Sequence, residues 1–165
     1  MIKLFSCFTG IGAWEKSLQR LNIPYELVGF SEVDKYAIKS YCSIHNVDEK
    51  LNYGDISKIN EKELPDFDLM TFSFPCQAFS LAGKRLGFDD MRGTLVFDAM
   101  RIIKEKQPKY WLFENVAGLL SHDGGRTIEI ILENLSKLGY EITMDMLNSK
   151  DYSIPQNRSR IFCLR

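Results

Sequence analysis

Residues 68–76 read Asp-Leu-Met-Thr-Phe-Ser-Phe-Pro-Cys (DLMTFSFPC), an apolar run stopped by a proline that is followed at once by a thiol. From Asp68 to Phe74 the stretch is predominantly apolar, with Leu69, Met70, Phe72 and Phe74 and no charge after Asp68. That is the pattern of a strand covered on both faces, as in a parallel sheet, rather than a strand with one wet side. Pro75 removes a backbone donor and ends the ladder, so Cys76 is expected at the carboxyl edge of the sheet, facing a crevice.

Working outward, short apolar runs alternate with segments of helical period, the signature of βαβ units. Ile2 to Phe8 predicts a first strand ending in the glycine turn Gly10-Ile11-Gly12. A helix follows, with Trp14, Leu18 and Leu21 on one face and Pro24 beyond its end. Tyr25 to Phe30 predicts a second strand, and Asp34 caps a helix running to about Asn46. A short third strand is expected just before Gly54-Asp55, and Asp68 to Phe74 is the fourth. Thr94 to Lys106 has an amphipathic helical period, and Tyr110 to Phe113 is a fifth strand. Arg126 to Leu138 is a helix with Ile128, Ile131, Leu135 and Leu138 on one stripe, stopped by Gly139. Strands near Glu141 to Leu147 and at Ile161 to Leu164 complete seven. The expected fold is α/β, a doubly wound, mostly parallel seven-stranded sheet forming one domain over residues 1–165.

Bulk properties narrow the function. The chain is 45% hydrophobic and 26% charged with a net charge of −1, so no global positive field advertises a polyanionic partner. No apolar run reaches the ~20 residues of a membrane span, and the start MIKLFSCFTG lacks the form of a signal peptide. The four cysteines are dispersed without a CxxC pair, which argues against a zinc site or a disulfide framework and fits a reducing cytoplasm.

Ligands of such sheets bind at the carboxyl ends of the strands. Gly10 and Gly12 let backbone approach a ligand closely at a helix start. The pattern is GxG only, because Ala13, Trp14 and Glu15 stand where the dinucleotide fingerprint has its last glycine. By itself it equally describes an ordinary tight turn. Glu32, at the end of the second strand, suits the two hydroxyls of a ribose, and Asp55, after the third, suits an adenine amino group. Each acid alone could be a solvated surface carboxylate, but together with the turn they point to a nucleoside. Without a pyrophosphate signature, an adenosyl ligand such as S-adenosylmethionine fits best.

Cys76 needs activation, since a free thiol has a pKa of ~8.5. Segment 77–93 lacks obvious secondary structure, contains Lys84, Arg85 and Arg92, and is long enough to be functional rather than idle. Glu114 ends the fifth strand in YWLFENV, where a carboxyl beside aromatic residues is partly desolvated and can stabilise a protonated ring nitrogen. Asn115 and Val116 are expected to orient it. Arg158 and Arg160 stand two apart in QNRSRIF, on one face if that segment is a strand, and suit a pyrimidine carbonyl or a phosphate. Solvated charge on an edge strand is the alternative.

In order and spacing, FTGIG, SEVDKYAIKSY, GDI, FPCQAFSLAGKRLGFDDMRGTL, FENV and DYSIPQNRSRIF resemble the DNA (cytosine-5) methyltransferases of bacterial restriction–modification systems across the whole chain. The resemblance implies a Rossmann-like S-adenosylmethionine-dependent methyltransferase fold. It makes Cys76 the nucleophile on C6 of a flipped cytosine, with Glu114 at N3 and the amino group, Arg160 at O2, and Arg158 at the flipped nucleotide and its phosphate. Phe8, Gly10, Gly12, Glu32, Asp55, Ile56, Pro75 and Leu95 match cofactor-pocket positions. Gln77, Ser80, Lys84 and Arg92 match positions that face DNA. Val33 replaces the tryptophan with which many members stack the adenine. Family members continue past the QxRxR motif with a target-recognition domain and further motifs, so a missing C-terminal segment or a second chain is the expected partner besides duplex DNA, in a bacterial or phage-encoded cytoplasmic enzyme. A nicotinamide-dependent oxidoreductase and a non-catalytic methyltransferase-like module are the competing readings. A Cys76–His122 hydrolase lacks a group to orient the histidine.

Overall fold

The computed structural model describes residues 1–75 and 95–165. Cys76, Gln77, Ser80, Lys84 and Arg92 therefore lie outside the described residues. Within them the elements run β1 (Ile2–Cys7), α1 (Ala13–Arg20), β2 (Tyr25–Ser31), α2 (Lys35–His45), β3 (Leu69–Phe72), α3 (Leu95–Lys106), β4 (Tyr110–Val116), α4 (Arg126–Lys137), β5 (Thr143–Asn148) and β6 (Ser159–Leu164).

The strands form one sheet in the order β2-β1-β3-β4-β6-β5. β2, β1, β3 and β4 pair in parallel, while β6 runs antiparallel to both β4 and β5. Alternation along the strands divides the core. Phe5, Cys7, Met70, Phe72, Trp111 and Phe113 face one side, where they join Ile102 and Ile103 of α3 and Ile131 and Leu135 of α4 in one buried cluster. Leu4, Ser6 and Phe30 face the other, where Phe30 packs its ring 4.6 Å from Tyr41 of α2. Two covered faces explain why β3 is largely buried and mostly apolar, its one hydroxyl, Thr71, pairing with the buried Ser6 hydroxyl at 2.9 Å.

The chain order reverses between β1 and β3: β1 leads to β2 on one side, then β3 returns to pair with β1 on the other. The carboxyl ends of these two strands are the switch point where such sheets open a crevice. One end carries the Phe8–Gly12 turn and the other carries Pro75, the residue before Cys76.

Two sequence expectations are corrected. The strand expected before Gly54 shrinks to an isolated parallel bridge between Phe30 and Asn52, so the described sheet has six strands rather than seven. A 3₁₀ turn at Glu49–Leu51 precedes Asn52 and a left-handed Gly54 (φ 69°) follows, which leaves no room for an extended run. In α1 the expected apolar stripe is only half-buried and Leu21 is exposed. The buried residue is Glu15, whose Oε1 accepts a 2.8 Å hydrogen bond from the Tyr41 hydroxyl. Its other oxygen, Oε2, is buried without a hydrogen-bond partner among the described residues. Asp34 caps α2 as its position predicts, accepting from the N–H groups of Tyr36 and Ala37.

Candidate active site

At the end of β1 the backbone leaves the strand in a left-handed bend. Phe8 (φ 55°) and Gly10 (φ 54°) carry it, and the Phe8 N–H is held by the Ser31 carbonyl at 2.8 Å. A Cβ placed on Gly10 would meet nothing within 4 Å, so open space lies directly above this backbone. Gly12 is different: it caps α1 at φ 86°, and a Cβ there would sit 2.1 Å from His45 Nε2 and 2.9 Å from the Tyr41 ring. His45 Nε2 also lies 3.0 Å from the Ile11 carbonyl, the arrangement of a ring N–H donating to the turn. The first glycine leaves room for a ligand; the second leaves room for α2.

Glu32 joins this turn to β2. Its Oε2 accepts from the Gly10 N–H at 2.9 Å, and its Oε1 accepts from Val33 and Asp34 at 2.8 and 3.0 Å. A carboxylate offers about four lone-pair sites, so capacity remains on its open side. Val33 is 70% exposed and presents aliphatic surface beside it. Asn52 completes the edge: its Oδ1 accepts from Glu32 and Gly54, and its Nδ2 donates to the Glu32 carbonyl. Asp55 caps a 3₁₀ turn, Ile56–Lys58, through Ser57, and Ile56 is buried. Hydrogen bonds from the Ser57 hydroxyl and N–H hold the Asp55 carboxyl below the usual carboxylate range.

On the reactive side, Glu114 and Arg160 form an ion pair, Arg160 Nε donating to Glu114 Oε1 at 2.7 Å with both side chains mostly shielded. The antiparallel register of β6 on β4 makes this meeting possible, pairing Val116 with Arg160 and Glu114 with Phe162. Asn115, expected to orient Glu114, instead points to the opposite face. Its Nδ2 donates to the Phe74 carbonyl at 2.9 Å in a buried contact, tying the end of β4 to the backbone just before Pro75. Val116 is exposed, and its N–H donates to Asn115 Oδ1 at 2.8 Å. Arg158 does not join Arg160 on a strand face. It precedes β6, is exposed, and is held through its backbone by Asn148 and Ser149. Leu95 opens α3 and packs on the core, and Pro75 is exposed at the crevice.

The remaining described thiols are not poised for attack. Burial pushes Cys7 strongly up and Cys163 up to about 12, and Cys42 is raised by burial and then by Glu49 and Asp48. Such groups hold their protons at neutral pH. His122 is bonded to Thr127, its Nδ1 lying 2.6 Å from the hydroxyl, in keeping with a structural turn.

The family model for C-5 cytosine-specific DNA methylases matches residues 2–165. The chain belongs to that family.

Among relatives, an orphan methyltransferase of Bacillus phage rho11s is 56% identical over 99% of this methylase chain and 32% of its own length. A type II methyltransferase of Lactococcus lactis subsp. cremoris is 48% identical over 97% of the chain and 40% of its own length. The methylase chain therefore spans about a third to two-fifths of these relatives. Among solved structures, the S. pombe Dnmt2 methyltransferase superposes with a TM-score of 0.81 at 26% identity, covering 99% of this chain and 50% of that one. Among the described residues of this methylase chain, no helix is long and apolar enough to cross a membrane, and no cluster of three metal-ligating side chains occurs.

Sequence reading missed two contributors to the geometry of the glycine turn. Asn52 and the Glu15–Tyr41–His45 group act through side chains from elements that only folding brings to the glycine turn. Tyr41 and His45 are one helical turn apart on α2, a spacing that shows a shared face but not what that face touches.

Proposed function

We propose that the protein carrying this chain transfers a methyl group from S-adenosylmethionine to C5 of a cytosine flipped out of duplex DNA. The observation that carries this reading is the Glu114–Arg160 pair at the carboxyl edge of β4, beside the β3 end that leads into Cys76. The cofactor supplies an electrophilic methyl group. Gly10, Glu32, Val33, Asp55 and Ile56 would hold its adenosyl part, a role that fits the open space over Gly10 and the free acceptor capacity of Glu32.

The Cys76 thiolate forms a bond to C6, and the electron pair of the C5–C6 double bond moves toward C5 and the ring. Glu114 meets N3 and the exocyclic amino group, where charge changes on attack, and Arg160 keeps that carboxyl aimed while meeting O2. C5 would take the methyl group as the methyl–sulfur bond of the cofactor breaks and S-adenosylhomocysteine is left as the neutral thioether; the C5 proton then leaves to a base, the double bond re-forms and Cys76 is expelled as thiolate. Arg158, Gln77, Ser80, Lys84 and Arg92 are assigned to the nucleotide and to DNA. Choice of target is assigned to protein outside these 165 residues, as type II or orphan modification enzymes of this family would require.

The test is a duplex containing 5-fluorocytosine, incubated with labelled S-adenosylmethionine and this chain, alone and together with the C-terminal portion of a phage relative. Fluorine cannot leave as a proton does, so attack and methylation should stop at a covalent protein–DNA adduct. Methyl transfer to normal cytosine without any adduct on the fluorinated duplex would overturn the covalent route. Full sequence-specific activity from residues 1–165 alone would overturn the assignment of target choice.

The Asn115 tether adds a prediction. In Asn115→Ala the buried Phe74 carbonyl loses its partner, a cost of about 1–3 kcal/mol, and the backbone entering Pro75-Cys76 is freed. We expect kcat to fall by about 10²-fold with little change in KM for DNA. Rapid-quench measurement of adduct formation checks this; an unchanged rate would remove Asn115 from the site.

A further inference from the structure

We propose that Arg101 is a positioning residue for adenine recognition: from α3 it clamps the Asp55–Ile59 turn and thereby fixes where the Asp55 carboxylate stands. The inference rests on the reading above that an adenosyl ligand occupies the β1–β2 edge.

Arg101 makes an unusual set of contacts for a residue outside the crevice. Its Nη1 donates to the Ile59 carbonyl at 2.8 Å and to Glu61, and its Nη2 donates to the Ile56 carbonyl at 3.1 Å and to Asp98 at 3.3 Å. Two carbonyls at the two ends of one 3₁₀ turn are gripped by a single planar fork, while Asp98 on its own helix and Glu61 on the next turn balance its charge. Ile56 and Ile59 bury their side chains in the core beneath the turn, and the fork fixes its backbone above them. The turn's internal backbone bonds are Lys58 N–H to Asp55 O and a longer Ile59 N–H to Ile56 O, and a single 3₁₀ turn is weak in isolation.

Asp55 begins this turn. One oxygen, Oδ1, is committed to the N–H and hydroxyl of Ser57, and the other lies 3.6 Å from Lys58 at the surface. The turn's geometry therefore dictates which way the free oxygen faces. An ionised carboxylate only accepts hydrogen bonds, so it favours the 6-amino group of adenine and repels the 6-carbonyl of hypoxanthine. A turn that wanders would keep the charge but lose the aim.

Lysine at position 101 keeps the positive charge and loses the fork that spans both carbonyls. The experiment compares S-adenosylhomocysteine with its inosine counterpart, titrated into the wild-type chain and Arg101→Lys and followed by ligand NMR. The wild type should prefer the adenosyl ligand. Arg101→Lys should bind that ligand about tenfold more weakly, the equivalent of one good hydrogen bond, while binding of the inosine compound changes little, so that the preference collapses. Loss of fold alone would weaken both ligands together and leave their ratio intact. An unchanged ratio in a folded Arg101→Lys overturns the proposal. Should that variant fail to fold, Glu61→Ala, which removes one surface anchor of the same fork, must lower the ratio in the same direction or the proposal falls. A wild-type chain that binds both ligands equally would instead overturn the adenine assignment of Asp55, and the inference with it.

Discussion

Cys76→Ser is expected to reduce methyl transfer by on the order of 10⁴-fold or more, the scale on which removal of a covalent nucleophile acts. Sulfur is a nucleophile in its thiolate form, and a serine hydroxyl in the same place would have to attack as a neutral, far less nucleophilic group. The loss should fall on the chemical step. Cofactor affinity and DNA affinity should stay near wild type, because the backbone proposed to hold the adenosyl part is fixed by Glu32, Asn52 and the Phe8 N–H bond to the Ser31 carbonyl. The 5-fluorocytosine adduct should disappear altogether. No described thiol can substitute, since Cys7, Cys42 and Cys163 are all raised in pKa and the first and last are buried. Methyl transfer within tenfold of wild type in Cys76→Ser, measured with labelled cofactor, would sink the covalent mechanism.

Gly12→Ala is expected to destabilise the fold by about 3 kcal/mol and to abolish measurable cofactor binding. Three costs converge on one methyl group. A residue with a side chain pays ~1–2 kcal/mol to adopt the left-handed conformation at φ 86°. Its Cβ would lie 2.1 Å from His45 Nε2, so the ring must swing away and give up its contact with the Ile11 carbonyl, worth ~1 kcal/mol. The Tyr41 ring, 2.9 Å away, is fully buried and cannot yield in the same manner. For a domain of this size the melting temperature should fall by roughly 10 °C. A double-mutant cycle with His45→Ala isolates the steric part: removing the ring should return part of the lost stability in the Gly12→Ala background. A melting temperature unchanged by Gly12→Ala would show that the turn is not braced by α2.

These cases show how unevenly the site can be read from the chain. The existence of the main strands and helices, the Asp34 cap and the GxG turn are local features, and local chemistry made them legible, whereas β3 stops at Phe72 rather than at Pro75 and β4 runs on to Val116. Glu15 was not legible, because a charged residue in a helical segment normally belongs to a solvated face. The Tyr41 hydroxyl reaching across from α2 meets one of its oxygens and the other is buried without a partner among the described residues, an environment that nothing local in the sequence signals. Asn115 was misread because its neighbour Glu114 carried the chemistry. Strand alternation sends the two side chains to opposite faces, and the partner of Asn115 lies 41 residues away in sequence.

By itself the sequence determined the alternation of strands and helices, hence a doubly wound sheet, and it placed the GxG turn and Glu32 just past the first two strands. Those follow from hydrophobic period and turn chemistry, which act over a few residues. Tertiary structure decided which polar groups meet. The antiparallel return of β6 brought Arg160, and not Arg158, onto Glu114. Packing of α2 on the first turn made Gly12 a steric necessity, and α3 put a guanidinium across the Asp55 turn. Each of these contacts joins residues far apart in the chain, and no local propensity encodes which distant partner a folded sheet will deliver.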